Sequence, residues 1–287
     1  SLESKALKIF SDQDLLIDKP IGEKSYSIDF EKEKNLLIGS VKKKVFTWNI
    51  TQSTAIWSQN EAEETRAITF LNQTHFIAGF KHFFVIYDCS NLNSKLEKTD
   101  STNIGRVYDL KILHEKQKIL IASHEGYISV FDLISYNFLK KNQIADKIWA
   151  IDAFDQNLIV SQCENKDVCL YELDSLNELK ELKRCSEEKE IFSIKILNEN
   201  KAVFGGDKFL KIWNISNNQI IQSITDVDKV WGLDVFSEQI IATGDEKDFV
   251  KFWNMTNYSN FKTIDTGSKV YYLKNLNGAL ISSLTFE

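Results

Sequence analysis

The stretch KVWGLDVF, residues 229–236, returns with variations along the chain. Its copies read RVYDLKIL (106–113), KIWAIDAF (147–154), EIFSIKIL (190–197) and KVYYLKNL (269–276). β-Branched, aromatic and other apolar residues alternate through each copy, which is typical of a β-strand. One strand-like phrase that recurs at a regular spacing indicates a repeat protein.

A second recurring phrase consists of a short β-rich run, an aromatic residue and then, in most copies, Asn, Asp or Glu. Six copies place the aromatic residue at Trp48, Tyr87, Phe131, Tyr171, Trp213 and Trp253, with spacings of 39, 44, 40, 42 and 40 residues. LKIFSD adds a seventh copy at Phe10, which lies 38 residues before Trp48. The repeat therefore has a period of about 40 residues.

Each period contains four strand-like segments. The opening phrase is followed by an apolar run such as KAVFGG (201–206), then by the second phrase, then by a weaker segment such as QIIQSI (219–224). No helical period of 3.6 residues interrupts these segments. Four antiparallel strands in a repeat of this length are typical of a β-propeller blade.

These patterns predict an all-β fold, a seven-bladed β-propeller with four-stranded antiparallel blades, in which residues 1–287 form a single domain. We expect the N- and C-terminal strands to share one blade and close the ring, which removes the exposed edges of an open array. The expected blades comprise residues 25–60, 65–101, 106–144, 147–184, 190–226, 229–267, and 269–287 together with 1–19.

Three segments carry a resemblance to the WD40-repeat family, and the shared spacing extends it over the whole chain. The segments are SHEGYISVFD (123–132), GGDKFLKIWN (205–214) and TGDEKDFVKFWN (243–254). The Gly-His pair that usually opens a WD40 repeat is absent, and Asn often replaces the acidic residue. The resemblance implies a non-catalytic interaction module that belongs to a longer scaffold or adaptor protein. It also places the third position of the opening phrase at the mouth of a central channel, where WD40 domains often bind peptides.

We call this third position the aromatic slot. Its seven residues are Tyr26, Arg66, Tyr108, Trp149, Phe192, Trp231 and Tyr271. Core packing in strands is served by Val, Ile and Leu at the neighbouring positions, whereas Tyr and Trp offer large, rigid contact areas at interfaces. We expect at least four of the seven side chains to be exposed and to bind a partner. The alternative is that these rings pack between blades.

Charged loops between the second and third strands extend the predicted surface. VKKK (41–44) and FKHF (80–83) are basic, whereas the later loops are mainly acidic. We expect Lys42 and Lys81 on a positive side, Glu164 and Glu246 on a negative side, and His124 among the partner-binding residues. Such an asymmetry would orient a charged peptide, although ordinary solvated loop charges explain each residue equally well.

A charge slot lies three residues after the aromatic slot. It holds Asp29, Thr69, Lys111, Asp152, Lys195, Asp234 and Lys274, so that the sign of the charge alternates except at Thr69. First strands of a propeller face one another, and neighbouring opposite charges attract there. We expect ion pairs between blades, with a structural role.

Composition and the missing motifs exclude several function classes. The net charge is −6 and only three residues are Arg, which disfavours nucleic acid as a partner. No apolar run reaches the roughly 18 residues of a membrane span, so we expect no membrane partner. No P-loop, dinucleotide-binding turn, HExxH or GxSxG motif occurs, and we expect no cofactor and no metal.

The cysteines and the first residue lead to expectations about the cellular compartment and about a longer parent chain. Cys89, Cys163, Cys169 and Cys185 form no CxxC pair, and we expect free thiols in a reducing, cytoplasmic or nuclear compartment. The chain begins with Ser, so we expect a monomeric domain cut from a longer chain or acting within a complex.

Alternatives to an aromatic interaction surface remain open at this point. A purely structural propeller would hold a large assembly together through the sides of its blades. A third reading is recognition of a modified or small cationic group, such as methylated lysine, or of the surface of ubiquitin. An enzyme at the channel mouth would use His124, Glu125 and Asp109, but the sequence favours a non-catalytic protein.

Overall fold

The structure is a computed structural model that describes residues 6–11, 15–20, 25–52, 54–91, 95–99, 104–154, 158–162, 164–276 and 279–285. Apart from a short 3₁₀ helix at Glu164–Lys166, the regular elements of these residues are β-strands. The fold is an all-β propeller arrangement of small, four-stranded antiparallel sheets, as the repeat pattern predicts.

The strands in the first half of the chain are β1 (Ala6–Ser11), β2 (Leu15–Pro20), β3 (Ser25–Glu31), β4 (Leu36–Val41), β5 (Lys44–Asn49), β6 (Thr54–Asn60), β7 (Ala67–Phe70), β8 (His75–Gly79), β9 (Phe83–Asp88), β10 (Lys95–Thr99), β11 (Val107–Leu113), β12 (Lys118–Ser123), β13 (Tyr127–Asp132) and β14 (Phe138–Gln143). The remaining strands are β15 (Ile151–Phe154), β16 (Leu158–Gln162), β17 (Val168–Leu173), β18 (Leu179–Cys185), β19 (Ile191–Asn198), β20 (Lys201–Gly206), β21 (Phe209–Asn214), β22 (Gln219–Ile224), β23 (Val230–Ser237), β24 (Ile240–Asp245), β25 (Phe249–Asn254), β26 (Ser259–Asp265), β27 (Lys269–Leu276) and β28 (Ala279–Thr285).

The chain divides into two compact units. The first unit comprises Ser1–Tyr26 and Lys189–Glu287, and its described strands form the sheets β19-β20-β21-β22, β23-β24-β25-β26 and β2-β1-β28-β27. The second unit comprises Ser27–Glu188, and its described strands form the sheets β3-β4-β5-β6, β10-β9-β8-β7, β11-β12-β13-β14 and β15-β16-β17-β18. In the terminal sheet of the first unit β1 pairs with β28, so strands from both ends of the chain hydrogen-bond to each other.

Burial follows the position of a strand within its sheet. The second strands, such as β4 and β12, are buried at nearly every residue, and for β12 the neighbouring sheets of the same unit pack against both faces. This explains their uninterrupted apolar runs. The outer strands, such as β6 and β26, are exposed or half-buried over their whole length.

The Asn or Asp residue of the second phrase caps the turn between the third and fourth strands. The Oδ1 atoms of Asn49, Asp132 and Asn254 each accept a backbone N–H from two or three residues later, at 2.7–2.8 Å. Asp88 and Asn214 make the equivalent bonds in their own sheets. Asn and Asp present the same oxygen to the turn, which explains why they interchange between repeats.

A β-bulge lies near the start of the outer strand in six sheets among the described residues. The register shifts between Ile9/Phe10, Thr47/Trp48, Val130/Phe131, Leu170/Tyr171, Ile212/Trp213 and Phe252/Trp253. The outer strand carries the extra residue, which is respectively Leu16, Ile56, Leu139, Leu182, Ile221 and Phe261. Bulges of this kind protect exposed sheet edges against unwanted pairing.

Candidate functional site

The aromatic slot lies at a backbone irregularity at the start of the first strand. In the sheets that begin with β11, β19, β23 and β27, the register of the first two strands skips one residue. The skipped residues are Tyr108, Phe192, Trp231 and Tyr271. Each is therefore the extra residue of a β-bulge, a device that redirects a side chain away from the regular pleat. Arg66 and Trp149 lie just before β7 and β15.

In the second unit, three slot residues and a loop histidine form one cluster. The Arg66 guanidinium lies 5.0 Å from the centre of the Tyr108 ring. The rings of Tyr108 and Trp149 meet edge to face at 4.9 Å, and the His124 ring lies 5.1 Å from Tyr108 and 5.2 Å from Trp149. All four side chains are half-buried, so the cluster presents part of each to solvent. The structure thus brings together Arg66, Tyr108, Trp149 and His124, and their role in binding a partner remains a prediction.

Positive charge surrounds His124 in this cluster. Burial lowers the pKa of His124, and the charges of Lys147, Arg106 and Arg66 lower it further, against an opposing effect of Glu125. The imidazole is therefore neutral at pH 7 and offers an uncharged ring face beside cations. Lys147 was not among the residues predicted for the binding surface. A signal was present, because the first position of the opening phrase is basic in most copies.

The first unit holds a second aromatic cluster. The rings of Phe192 and Trp231 stack at 4.0 Å, and Tyr271 lies 5.5 Å from Trp231 in a tilted contact. Trp231 and Tyr271 are half-buried, but Phe192 is only 8% exposed. Phe192 is therefore a buried support for the Trp231 ring, and its assignment to a partner-binding surface remains a prediction.

The second cluster has an acidic neighbour. The Trp231 indole Nε1 donates a hydrogen bond to Glu246 Oε1 at 3.0 Å, and Lys229 Nζ lies 3.5 Å from the other oxygen of Glu246. These contacts fix the orientation of the indole, and the Phe192 ring stacks on one of its faces. Glu246 is thus beside the slot, where it accepts a hydrogen bond from Trp231, and its role in binding a partner remains a prediction.

A connecting segment that was not among the predicted surface residues places negative charge beside the predicted positive side. Lys42 and Lys81 are exposed in their turns. The segment between β6 and β7 lies against these turns, because the N–H of Thr65 donates to the carbonyl of Lys42 and the N–H of Lys81 donates to Glu63. This segment carries Glu61, Glu63 and Glu64, and Glu64 lies 3.5 Å from Arg66. The local charge is consequently mixed.

Tyr26 and Glu164 are two further predicted site residues. Tyr26 is half-buried at the second position of β3. Glu164 is exposed at the first position of the 3₁₀ helix, beside Asn165, which has a positive φ of 60°. Their assignment to a binding surface remains a prediction.

The charge slot forms the predicted contacts between sheets of the same unit. Lys111 pairs with Asp152 at 3.2 Å, and Lys195 pairs with Asp234 at 2.9 Å. Thr69, the exception in the sequence pattern, donates its hydroxyl to Asp29 at 2.8 Å. A hydroxyl therefore replaces the cation at that position, and the register used to align the repeats is confirmed.

Two carboxylates of the charge slot, and that of Asp109, also accept backbone N–H groups from the next sheet. Asp29 accepts the N–H of Phe70 at 2.9 Å, and Asp234 accepts the N–H of Asn275 at 2.6 Å. Asp109 accepts the N–H of Ile151 at 3.0 Å. Each bond joins one sheet to the next along the chain, so these groups position the strands that carry the aromatic slot.

The residues that an enzyme hypothesis would use are engaged in structural bonds. The Asp109 carboxylate accepts the N–H groups of Leu110 and Ile151, and Glu125 accepts the N–H of Arg106 at 2.7 Å. Among the described residues, no group of three or more His, Cys, Asp or Glu side chains is arranged to hold a metal ion. Within the same residues, no helix has the length and apolar character needed to cross a membrane.

The cysteines differ from the prediction at one position. Cys169 is disulfide-bonded, which contradicts the expectation that all four residues are free thiols. Cys163 lies outside the described residues. Cys89 is a free thiol whose pKa burial raises to about 11, so it stays protonated at pH 7. Because disulfides persist mainly in oxidising compartments, the cysteines no longer support a reducing location.

Comparison with known proteins assigns no family to the chain. No protein-family model matches the chain, and no curated protein matches its sequence. The resemblance to WD40 repeats therefore rests on the 40-residue spacing and on the four-stranded sheets.

Proposed function

We propose that the protein is a non-catalytic, WD40-like interaction module that binds a peptide or a partner protein through its aromatic slot. One observation carries the proposal: in four sheets the slot residue is the extra residue of a β-bulge at the start of the first strand. At these bulges Tyr108, Trp231 and Tyr271 are half-buried, whereas Phe192 is buried. Bulges occur preferentially where a side chain must be redirected for function.

The chemistry of the two clusters sets the kind of partner. Half-buried Tyr and Trp rings accept apolar or planar side chains, and their rigidity limits the entropic cost of binding. The cluster around His124 has cations beside it, whereas the Trp231 cluster has Glu246 beside it. A protein segment fits each of these two surfaces, taken separately, better than a nucleic acid does, since the chain has a net charge of −6.

The proposal includes the larger architecture. We infer that the sheets are seven blades of one closed ring, that residues 1–287 form one domain, and that it acts as a monomer within a longer scaffold protein or a complex. The repeat spacing and the pairing of β1 with β28 support this arrangement. Closure in a single ring gives the terminal strands a structural role. Deletion of residues 1–18 tests this role.

A second candidate function has its own supporting observation. The bulged residues of the outer strands include four large apolar side chains that are exposed, namely Ile56, Leu182, Ile221 and Phe261. A structural propeller that assembles through the sides of its blades would use these residues. Peptide binding by the Trp149→Ala, Trp231→Ala and Phe261→Ala variants separates this candidate from the aromatic slot.

Selection of binding peptides would test the proposed function. A random library of displayed dodecapeptides is selected against the immobilised chain, and fluorescence polarisation gives the affinity of the best peptides. We expect Trp149→Ala or Trp231→Ala to weaken binding at least about tenfold, as for an aromatic anchor. Phe261→Ala is the control, because Phe261 lies in the outer strand β26.

Two results would contradict the aromatic surface. Selected peptides that bind both Trp variants with unchanged affinity would place their site elsewhere. Loss of binding in Phe261→Ala together with retention in both Trp variants would favour the blade sides. Circular dichroism melts of all variants exclude loss of folding as the cause of any change.

A further inference from the structure

The first residue after the second strand contacts the aromatic slot in two of the sheets. Glu246 follows β24, and its carboxylate accepts the indole N–H of Trp231 at 3.0 Å. His124 follows β12, and its ring lies 5.1 Å from the Tyr108 ring of the same sheet. In three other sheets this residue is Lys42, Phe80 or Asp207. Among these five side chains only the imidazole of His124 has an ordinary pKa between about 5 and 8.

The His124 ring packs against two other rings. It meets the Trp149 ring edge to face at 5.2 Å and lies tilted by 31° against the Tyr108 ring. Tyr108 and Trp149 meet edge to face at 4.9 Å, so each of the three rings contacts the other two. Among the residues that the structure describes, no protein group hydrogen-bonds to either ring nitrogen of His124. Ring packing alone therefore holds this side chain in the cluster.

The backbone that carries His124 is held by hydrogen bonds. Its N–H donates to the carbonyl of Arg106 at 2.8 Å, and the carboxylate of Glu125 accepts the N–H of Arg106 at 2.7 Å. The N–H of Gly126 donates to the carbonyl of Ser123 at 3.0 Å and closes the turn. A change in the charge of His124 would therefore act on the side chains of the cluster, because the loop beneath them is fixed.

Charged groups from four segments act on the His124 ring. Glu125 lies in the same turn, whereas Arg66, Arg106 and Lys147 lie before β7, β11 and β15. Burial disfavours the imidazolium and lowers the pKa of His124 below its ordinary value of 6.5. The three cations lower this pKa further, and Glu125 opposes them. The surroundings therefore favour the neutral ring.

The remaining carboxylates near these segments are Glu61, Glu63, Glu64, Asp109 and Asp146. Glu61, Glu63 and Asp109 accept hydrogen bonds from groups outside the cluster. Glu64 lies 3.5 Å from the Arg66 guanidinium, and Asp146 is exposed. An imidazolium at His124 would thus join three cations, and none of the described residues accepts a hydrogen bond from its ring.

We propose that His124 is a proton-controlled element of the aromatic slot: its neutral ring packs against Tyr108 and Trp149, and protonation opens these contacts and weakens the binding of a protein partner there. The opening of the contacts stands on the cluster alone, whereas the effect on a partner rests on the proposed function.

The direction of the effect follows from proton linkage. A proton binds more weakly to a His124 ring inside the cluster than to one that has left it, so a fall in pH below 6.5 favours the open arrangement. A partner that covers the neutral ring competes with the proton in the same way. Above pH 6.5 both effects vanish, because the ring is neutral in either arrangement.

Nuclear magnetic resonance on the whole chain tests the opening without any ligand. The chain has four histidines, so the Cε1–H resonance of each can be followed from about pH 8 to pH 4.5. We expect His124 to titrate below 6.5, and the nuclear Overhauser contacts between the His124 and Trp149 rings to disappear with the same midpoint. The variants His124→Phe and Trp149→Phe assign the two sets of resonances.

Peptides test the effect on binding. The probes are peptides selected from the displayed library whose binding Trp149→Ala weakens, labelled with tetramethylrhodamine and measured at pH 7.5 and pH 5. We expect their affinity for the wild type to fall at least about threefold between these values, since one titrating group changes an affinity by up to about tenfold per pH unit. His124→Phe has a ring that cannot be protonated, so the fall should be absent in this variant.

His114→Phe is the matched control, because His114 is an exposed histidine that follows the far end of β11. The control should keep the wild-type pH dependence, and melting curves at both pH values should show that all variants fold. Ring contacts that persist after His124 is protonated, or a titration of His124 at or above 6.5, would overturn the proposal. An equal fall in affinity for the wild type and His124→Phe would also overturn it.

Failure of the proposed function gives a different result. If no selected peptide depends on Trp149, the cluster is not the binding surface, and the resonance titration then decides by itself whether His124 controls the ring contacts.

Discussion

At the scale of single residues, the same amino acid has different tasks in the two recurring phrases. Trp253, in the second phrase, is 3% exposed and donates its indole N–H to the hydroxyl of Thr243 at 2.8 Å. Trp149, in the aromatic slot, is half-buried against Tyr108 and His124. The first residue belongs to the core, and the second belongs to the candidate surface.

Truncation of the two tryptophans separates these tasks. We expect Trp253→Ala to lose about 3–5 kcal/mol of unfolding free energy, because a buried ring and its hydrogen bond are removed. Trp149→Ala should lose less than half as much while it weakens peptide binding. Urea unfolding followed by circular dichroism gives both values. Equal losses in the two variants would mean that the slot ring is an ordinary part of the core.

The buried ion pair of Lys195 and Asp234 makes stability depend on pH. Burial alone would raise the pKa of Asp234, but Lys195, Lys274 and the N–H of Asn275 outweigh it and hold the pKa below its ordinary value of 3.8. The carboxylate therefore stabilises the folded state above this pH, and the contribution is lost as the pH falls through the lower, folded-state pKa.

Asp234→Asn tests this linkage. At pH 7 we expect the variant to lose roughly 3 kcal/mol, because Lys195 keeps its charge without its partner. The difference from the wild type should shrink as the pH falls below 3.8, when the native carboxylate also becomes protonated. Denaturant unfolding between pH 7 and pH 2.5, with Glu199→Gln as an exposed control, measures the difference. A difference that stays constant over this range would refute the assigned role.

At the scale of elements, side-chain caps and bulges define the ends of the strands. The turn after β13 depends on Asp132, whose Oδ1 accepts the N–H and the hydroxyl of Ser135 and the N–H of Ile134. The N–H of Ser135 is the largest cause of the lowered pKa of this carboxyl. The turn after β12 depends on Gly126, which has a φ of 82° and carries the loop of His124.

Substitution of Asp132 tests whether the turn after β13 needs the Oδ1 acceptor of this side chain or its negative charge. We expect Asp132→Asn to melt close to the wild type, because Asn49, Asn214 and Asn254 cap their turns with the same atom. Asp132→Ala should lose roughly 1 kcal/mol as the turn N–H groups lose their acceptor. Thermal melts at pH 7 compare the three proteins, and an Asn variant as unstable as the Ala variant would show that charge is what matters.

Glycine substitutions test the turn that supports the His124 cluster. A Cβ at Gly126 would collide with the backbone carbonyl of Ala145, in addition to the strain of its positive φ. Gly267 has a φ of 67°, but a Cβ there would meet no other heavy atom within 4 Å. We expect Gly267→Ala to lose about 1–2 kcal/mol, from the left-handed conformation alone, and Gly126→Ala to lose more. Chemical denaturation ranks the two, and a Gly126 variant no less stable than the Gly267 variant would contradict this account.

At the scale of the whole molecule, the terminal sheet joins the two ends of the chain. β1 and β2 come from the N-terminus, β27 and β28 from the C-terminus, and the β1–β28 pairing runs from Leu7↔Ser283 to Ser11↔Ala279. Without β1, strand β28 becomes an unprotected edge with free backbone groups, a typical template for aggregation.

Deletion of residues 1–18 tests the proposed ring closure. We expect the shortened chain to aggregate or to open, whereas deletion of residues 1–5, which leaves β1 complete, should have little effect. Size-exclusion chromatography and calorimetry report the outcome. A monomer that melts in one two-state transition within a few degrees of the intact chain would rule out closure through the terminal sheet.

Much of the site could be predicted because the repeat aligns equivalent residues. The alignment placed Lys111 with Asp152 and Lys195 with Asp234 from spacing alone, and both pairs form. It could not show that Phe192 would lie beneath Trp231, since the repeat assigns the two residues the same position. Nor could it show that Glu63 and Glu64 would lie beside the basic turns, because these residues belong to a connecting segment with no counterpart in the phrase.

The sequence by itself determined the four-stranded unit, its period of about 40 residues and the alternation of charge between first strands, because these depend on local β-propensity and on spacing. Tertiary structure alone decided which way the slot residues point. A β-bulge exists only when a second strand pairs with the first and skips a residue, as at Trp231 between Val230 and Gly232. Register is a relation between two strands, so the same aromatic residue becomes core or surface according to a partner that its own segment does not specify.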